Sequence, residues 1–296
     1  MTHVGFIGLG HMGSPMALNL LKAGYPLSVF DIAADMQPQK SAGARIANSI
    51  ADAISESDII ITMLPESKHV MAVYEGETGV FALAKSNALL IDCSTIDILS
   101  CRRLHEIAQT KQLALLDAPV SGGTKGAALG TLTFMVGGET EHFERAKPIF
   151  AHMGKNIFYA GSGGNGQAAK ICNNMLLGIS MIGTSEAFHL ADKLGLDAKI
   201  FHDIVAASSG QCWSATNYSP VPGLVPNTPA NNHYEPGFTA KMMLKDLNLA
   251  QQAAITSGAS TLLGSEAMSI YRLLCNCGLS EKDFSSIYPW LNNKEF

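Results

Sequence analysis

The stretch HVGFIGLGHMGSPMALNLLKAGYPLSVFD, residues 3–31, limits what the chain can fold into more than any other segment. A short apolar run enters three glycines, Gly8, Gly10 and Gly13, spaced G-x-G-x-x-G. A helical pattern follows, with Met16, Leu20 and Leu21 on one face and Gly24 near its end. A second apolar run, PLSVF, then delivers Asp31. Strand, glycine turn, helix and strand in this order form a dinucleotide-binding βαβ unit. Gly8 permits the tight turn, Gly10 lets backbone approach a pyrophosphate, and Gly13 lets helix and strand pack closely. The helix start offers free N–H groups and a partial positive charge to the phosphates. Asp31 stands where a carboxylate accepts hydrogen bonds from the adenosine ribose hydroxyls. A 2′-phosphate would meet that negative charge, and the next arginine is Arg45. The expected cofactor is NAD rather than NADP.

Strand-like runs continue at 58–64, 88–94, 113–120 and 131–138, with helical segments around 66–85 and 97–111. This alternation predicts an α/β Rossmann-type N-terminal domain with a mainly parallel sheet. Ligands bind beyond the carboxyl ends of such strands. Those ends carry LPES (64–67), STI (94–96) and SGGTKG (121–126), which should rim one crevice. A second G-x-G-x-x-G match, GSGGNG at 161–166, is followed by a long helix and no second strand with an acid. Its glycines are expected to shape the passage into the next domain.

From about Gly166 onward the pattern is helical: 167–196 as one long helix, then 198–208, 238–258 and 262–278. The predicted division is 1–162 for the NAD-binding domain and 163–296 for an all-α C-terminal domain. The long helix is apolar on nearly every side through its middle, as expected for a helix in a core or between subunits. Residues 208–237 hold five of the twelve prolines and one of the two tryptophans. So long an irregular segment is usually functional or mobile. Here it is expected to wall a substrate pocket, with Trp213 giving an apolar contact and Tyr218 a hydroxyl.

Composition narrows the function classes. A formal net charge of −5 with no basic block argues against nucleic acid or an anionic membrane as partner. Six cysteines without a C-x-x-C pair suggest reduced, mostly buried thiols. Nine histidines without H-x-x-x-H or H-E-x-x-H spacing give no support for a metal. The longest apolar run, 171–185, is too short for a membrane span. The first strand begins near His3 with no leader before it, so a cytoplasmic protein is expected. A transit peptide removed ahead of this point is compatible with the same pattern.

Between Asn156 and Ser185 the chain carries one formal charge, Lys170. Lysine is rarely buried without a partner. Asn173 and Asn174 follow three and four positions later, so the three side chains cluster on one side of a helix. A cation beside amides can hold the hydroxyl and carboxylate of a small anion. The turn at Ser121, Gly122 and Gly123 offers N–H donors to the same carboxylate.

These residues resemble those of the β-hydroxyacid dehydrogenase family over essentially the whole chain. The resemblance rests on GFIGLGHMGSPMALNL, MLPES (63–67), DCSTI (92–96), DAPVSGG (117–123), GSGGNGQAAKICNN (161–174) and KDLNLA (245–250). The segments 208–223 and 236–247 look like the branch acting on 3-hydroxyisobutyrate. The resemblance implies catalysis by Lys170 and substrate contacts at Ser121, Gly122, Gly123 and Asn174. It implies NAD contacts at Gly8, Leu9, Gly10, His11, Met12, Asp31, Leu64, Pro65 and Thr95, with Lys245 reaching the cofactor from the helical domain. The implied reaction is oxidation of 3-hydroxyisobutyrate to methylmalonate semialdehyde, a step of valine breakdown. Lys170 would take the hydroxyl proton as hydride leaves the same carbon. Desolvation and a positive nicotinamide would both favour the neutral amine. A sibling enzyme acting on tartronate semialdehyde or L-serine is the alternative within the class. A non-catalytic NAD-binding protein is the alternative outside it. A homodimer or homotetramer is expected from the long apolar helix and the resemblance.

Overall fold

A computed structural model describes residues 2–292. The chain divides into two compact units, Met1–Lys170 and Ile171–Phe296. The first unit opens with β1 (Val4–Ile7), α1 (Gly13–Lys22) and β2 (Leu27–Phe30). Next come α2 (Gln37–Ser41), β3 (Arg45–Ile46), α3 (Ile50–Ile54) and β4 (Ile59–Thr62). Then follow α4 (Ser67–Tyr74), α5 (Val80–Leu83), β5 (Leu89–Asp92), α6 (Ile98–Thr110) and β6 (Ala114–Asp117). The unit continues through β7 (Val120–Ser121), α7 (Gly123–Leu129), β8 (Leu132–Gly138), α8 (Thr140–Phe150) and β9 (Gly154–Gly161).

The strands form one sheet in the order β3-β2-β1-β4-β5-β6-β8-β7, with β9 against β8. β3 to β6 pair in parallel, whereas β8 runs antiparallel to β6 and β7. β9 returns parallel to β8. The sheet is mainly parallel, as the alternating pattern predicts. Parallel strands covered on both faces read as continuous apolar runs, and IIIT and LLID are fully buried. Ile59, Ile61, Leu89 and Ile91 enter one core, while Ile60 and Leu90 enter the other.

Several local departures have plain causes. The run 113–120 stops being strand at Asp117 and resumes at Val120, the break holding Pro119, which has no N–H for a ladder. The helix expected over 66–85 is two short ones, parted where Gly76 adopts φ +89°. The strand β9 lacks a continuous apolar run because its outward residues Lys155 and Asn156 are polar.

The long helix α9 (Asn165–Lys193) begins in the first unit and continues into the second. Beyond it lie α10 (Ala198–Ala206), α11 (Trp213–Thr216), α12 (Ala240–Ser257), α13 (Leu262–Leu274) and α14 (Ile287–Leu291). Their core gathers Met181, Ile182, Met243, Leu247, Tyr271, Leu274 and Phe284. Gly178 lets α9 press on α12: a Cβ there would lie 3.1 Å from Met243 Sδ and 3.2 Å from Leu247 Cδ2. Of the two places expected for an apolar α9, a core or a subunit boundary, its own chain supplies the first on one side only. Leu176 and Leu190 are 63% and 59% exposed, so one side of the helix is uncovered in the single chain.

The segment 208–237 is built rather than loose. Asn231 accepts from Gly223 N–H and donates to the Val225 carbonyl, each at 2.7 Å. Tyr234 hydroxyl donates to the Pro220 carbonyl at 2.8 Å. Buried Asp283 takes the Tyr218 hydroxyl at 2.9 Å and the Gly237 and Phe238 N–H groups at 3.0 Å.

Candidate functional site

The glycine turn has the shape its residues require. Gly8 sits at φ +95°, where a Cβ would strike the Met63 carbonyl, and a Cβ on Gly13 would strike that of Gly8. A Cβ on Gly10 would meet nothing within 4 Å. The turn is closed against the sheet at Gly8 and Gly13 and open at Gly10, which is the side a pyrophosphate must approach. Leu9 is buried, whereas Gly10 and His11 are exposed and Met12 is half-buried.

Asp31, just beyond β2, accepts from Leu9 N–H at 2.6 Å, Ala33 N–H at 2.7 Å and Ala34 N–H at 2.8 Å. Burial opposes its ionisation, but these backbone donors outweigh burial and hold the carboxyl below its usual range. An ionised carboxylate has about four acceptor sites, so three N–H bonds leave capacity for a ribose hydroxyl. Turn and carboxylate together fit the adenosine half of NAD.

The carboxyl ends of β4, β5 and β6 place Thr62, Asp92 and Asp117 in one row, in register with one another. Asp92 is buried and accepts from Thr62 Oγ1 at 2.7 Å and Ser94 Oγ at 2.6 Å. Burial is the largest influence and pushes its carboxyl up to about 6, against the pull of Ser94 and Thr62. Ser94 Oγ in turn accepts from Leu64 N–H at 2.8 Å. Leu64 and Thr95 are half-buried and Pro65 is exposed, on the two loops that this network links.

Asp117 anchors the start of α9. Its Oδ1 accepts from Gly164 N–H at 2.8 Å and from His105 Nε2 at 2.8 Å, and its Oδ2 from Gln167 N–H at 2.9 Å. Gly166 makes this possible, since a Cβ there would lie 2.7 Å from both the Asp117 carbonyl and Oδ2. The glycines of GSGGNG thus serve helix-to-sheet contact. Lys170, one turn further, is 7% exposed. Ser121 closes β7, and Gly122 (φ +135°) and Gly123 (φ +62°) turn the chain into α7.

In the second unit Asn174 is buried and donates from Nδ2 to Asp246 Oδ2 at 2.5 Å. Its Oδ1 accepts from Asn173, which is exposed. Lys245 Nζ lies 3.3 Å from Asp246 Oδ1. Trp213 is 49% exposed and stacks on Tyr218 at 4.7 Å between ring centroids. The Tyr218 hydroxyl, expected to face a pocket, donates its proton to Asp283 and keeps its oxygen as an acceptor.

The first unit therefore joins the glycine turn to Asp31, and the loops at Leu64 and Thr95 to the start of α9, and it also holds the 121–123 turn. Asn174, Lys245 and Trp213 belong to the second. Sequence reasoning passed over Asp92, Asp117, Gln167 and Asp246, although each lies inside a quoted motif or beside a chosen lysine. Their aim became readable only once their partners, 2 to 72 positions away, were known.

Cysteine burial differs from expectation: Cys93 and Cys101 are buried, whereas Cys172 and Cys277 are exposed. Cys101, His105 and Asp117 lie within 4.8 Å of one another. Burial pushes the Cys101 thiol well above its usual range, and both Asp117 oxygens already take N–H donors. A protonated thiol beside a carboxylate already engaged by N–H donors on both oxygens makes this a hydrogen-bond node, unlike the deprotonated donor set a metal requires.

A dinucleotide-binding protein is the class that this glycine turn, acid and sheet define. A family profile described as the NAD binding domain of 6-phosphogluconate dehydrogenase matches residues 3–161. A second, described as NAD-binding of NADP-dependent 3-hydroxyisobutyrate dehydrogenase, matches 164–291. The NAD-dependent L-serine dehydrogenase of Pseudomonas aeruginosa is 51% identical over 288 residues, 97% of each chain. The mitochondrial 3-hydroxyisobutyrate dehydrogenase of Rattus norvegicus is 48% identical over 295 residues, 99% of this chain and 88% of that one. The solved structure of Mycobacterium tuberculosis 3-hydroxyisobutyrate dehydrogenase with L-serine superposes with a TM-score of 0.93 at 43% identity, covering 98% of this chain and 99% of the other. The chain belongs to the β-hydroxyacid dehydrogenase family of oxidoreductases, and its cofactor is NAD. Among the described residues, no helix is long and apolar enough to cross a membrane.

Proposed function

We propose that the chain is an NAD-dependent 3-hydroxyisobutyrate dehydrogenase, with residues 1–162 as the cofactor domain and 163–296 as the substrate and oligomerisation domain. The observation that carries this reading is a buried Lys170 on the helix that, one turn on, presents the buried amide Asn174. A lysine kept from water in a chain of this family is suited to proton transfer rather than to a solvated surface role. In the oxidation direction neutral Lys170 accepts the proton of the substrate's primary hydroxyl. Bound NAD supplies the hydride acceptor. In reverse the Lys170 ammonium protonates the forming alkoxide. General acid–base help of this kind is worth about 10²–10⁴-fold. Asn174 and the N–H groups of the 121–123 turn hold the substrate carboxylate and hydroxyl. The turn from Gly8 to Met12, with Asp31, Leu64, Pro65 and Thr95, holds NAD, and Lys245 completes that set.

L-serine is the second reading, supported by the 51% identity to an L-serine dehydrogenase. The two substrates share a hydroxymethyl group and a carboxylate and differ in a methyl against an ammonium. The apolar face of Trp213 favours the methyl. A methyl is worth only about 1–3 kcal/mol of discrimination, so some turnover of both is expected. Values of kcat/KM for (S)-3-hydroxyisobutyrate, L-serine, glycerate and tartronate semialdehyde decide the matter. A larger value for L-serine than for hydroxyisobutyrate assigns the serine reading, and no NAD-linked turnover of any of them removes the dehydrogenase reading.

The assembly is proposed to be a homodimer or homotetramer. Leu176, Leu190 and Leu194 on and just beyond α9 are 63%, 59% and 75% exposed, which is costly unless another subunit covers them.

A further inference from the structure

The first turn of α9 is tied to the sheet by Gln167, which is fully buried. Its amide reaches the loop after β5 with both of its ends. Nε2 donates to the Ser94 carbonyl at 2.7 Å, and Oε1 accepts from Ile96 N–H at 3.1 Å. The two contacts bracket Thr95. The N–H of Gln167 itself is held by Asp117 Oδ2 at 2.9 Å. Through Ser94 Oγ the same loop is fixed to Leu64 N–H at 2.8 Å and to Asp92 at 2.6 Å. A continuous run of buried and part-buried hydrogen bonds therefore joins the loops at Leu64 and Thr95 to the helical turn that begins at Gln167 and ends at Lys170.

We propose that Gln167 is a positioning residue that sets Lys170 in register with the Thr95 loop, so that the proton acceptor is held at a fixed place relative to bound NAD. This rests on the reading of Lys170 as the proton acceptor. The physical ground is that proton and hydride leave neighbouring atoms of one substrate. Amine and nicotinamide must therefore be aligned together, and a displacement of about 1 Å can cost on the order of 10²-fold in rate. A helix end joined to the loop only by packing could slide along it. A bidentate amide with its backbone N–H also anchored cannot slide without breaking buried bonds.

Gln167→Met keeps the side-chain length and apolar volume and removes both amide bonds. At a temperature well below its melting point, the full-length enzyme carrying it should lose at least about tenfold in kcat. KM for the hydroxy acid should stay within about threefold, and the primary deuterium isotope effect on kcat, with substrate labelled at the hydroxymethyl carbon, should rise. Should the methionine variant fail to fold, Gln167→Glu carries the same test. It keeps an acceptor for Ile96 N–H, loses the donor to Ser94, and should show the same fall in kcat. A lowered melting point with unchanged kcat and isotope effect would make Gln167 a structural tie and overturn the proposal. So would a change confined to KM for NAD. Lys170→Ala is measured beside it: retained turnover there removes the proton-acceptor reading, whereas lost turnover there with normal kcat in the Gln167 variant removes only this inference.

Discussion

Asn174 and Asp246, 72 residues apart in sequence, are joined by a buried hydrogen bond of 2.5 Å from the amide of α9 to the carboxylate of α12. Both residues are 2% exposed. The bond fixes which way the Asn174 amide faces, because Nδ2 must stay with the carboxylate. Asp246→Ala leaves a buried N–H without its acceptor, a loss of about 1–3 kcal/mol. The melting temperature should fall by several degrees and KM for the hydroxy acid should rise, as the amide is freed to turn. Asp246→Asn keeps an acceptor and should recover most of KM. An alanine variant with unchanged KM would detach Asn174 from substrate binding.

Cofactor choice should reside in Asp31. Three backbone N–H groups keep it ionised, so a 2′-phosphate at the ribose would face a fixed negative charge. Asp31→Ser removes that charge and should reduce the preference for NAD over NADP by at least about tenfold, roughly 1.4 kcal/mol. Affinity for NAD should fall as well, because Leu9 N–H loses its acceptor. The check is kcat/KM with each cofactor, and an unchanged ratio would take Asp31 out of the discrimination.

The first half of the fold was legible because its signals are local. Three glycines and an acid within 24 residues define the βαβ unit, and buried parallel strands announce themselves as runs such as IIIT. What was not legible depends on partners distant in sequence. Asp117 reads as a strand residue until Gly164, Gln167 and His105 are seen to donate to it. That the Tyr218 hydroxyl spends its proton on Asp283, 65 residues on, is likewise invisible in the sequence. Leu176 and Leu190 read as either core or subunit boundary, because an apolar residue in sequence looks the same whether its own chain or another covers it. Lys170 was legible for the opposite reason, being the one charge in a 30-residue stretch.

Leu190 tests the proposed assembly. It is 59% exposed on α9, and Leu176 lies fourteen positions earlier, with the open Gly183 midway between them. Seven-residue spacing keeps these positions on one seam of the helix. Leu190→Glu should dissociate the oligomer, lowering the mass measured by light scattering while leaving the far-ultraviolet dichroism of the folded chain intact. A wild-type protein already monomeric at micromolar concentration would defeat the proposal outright.

Asp92 should leave a signature in the pH dependence of stability. Burial, aided by the neighbouring Asp117 carboxylate, raises its carboxyl from 3.8 to about 6, against the pull of Ser94 and Thr62. Between those two values the folded protein holds a proton that the unfolded chain has released. The contribution of this group is therefore fully present below about pH 4 and is lost as pH rises through about 6. Two pKa units correspond to about 3 kcal/mol. Asp92→Asn cannot ionise, keeps an oxygen for Thr62 and Ser94, and places an amide nitrogen where buried Oδ2 has no hydrogen-bond partner among the described residues. That unpaired amide costs about 1–3 kcal/mol at every pH. The variant should therefore be clearly less stable than the parent near pH 4 and close to it, or above it, at pH 8. Melting temperatures at intervals of half a pH unit give the difference curve. A curve flat from pH 4 to pH 8 would mean that Asp92 titrates alike in the folded and unfolded chain, despite its place at the buried end of β5.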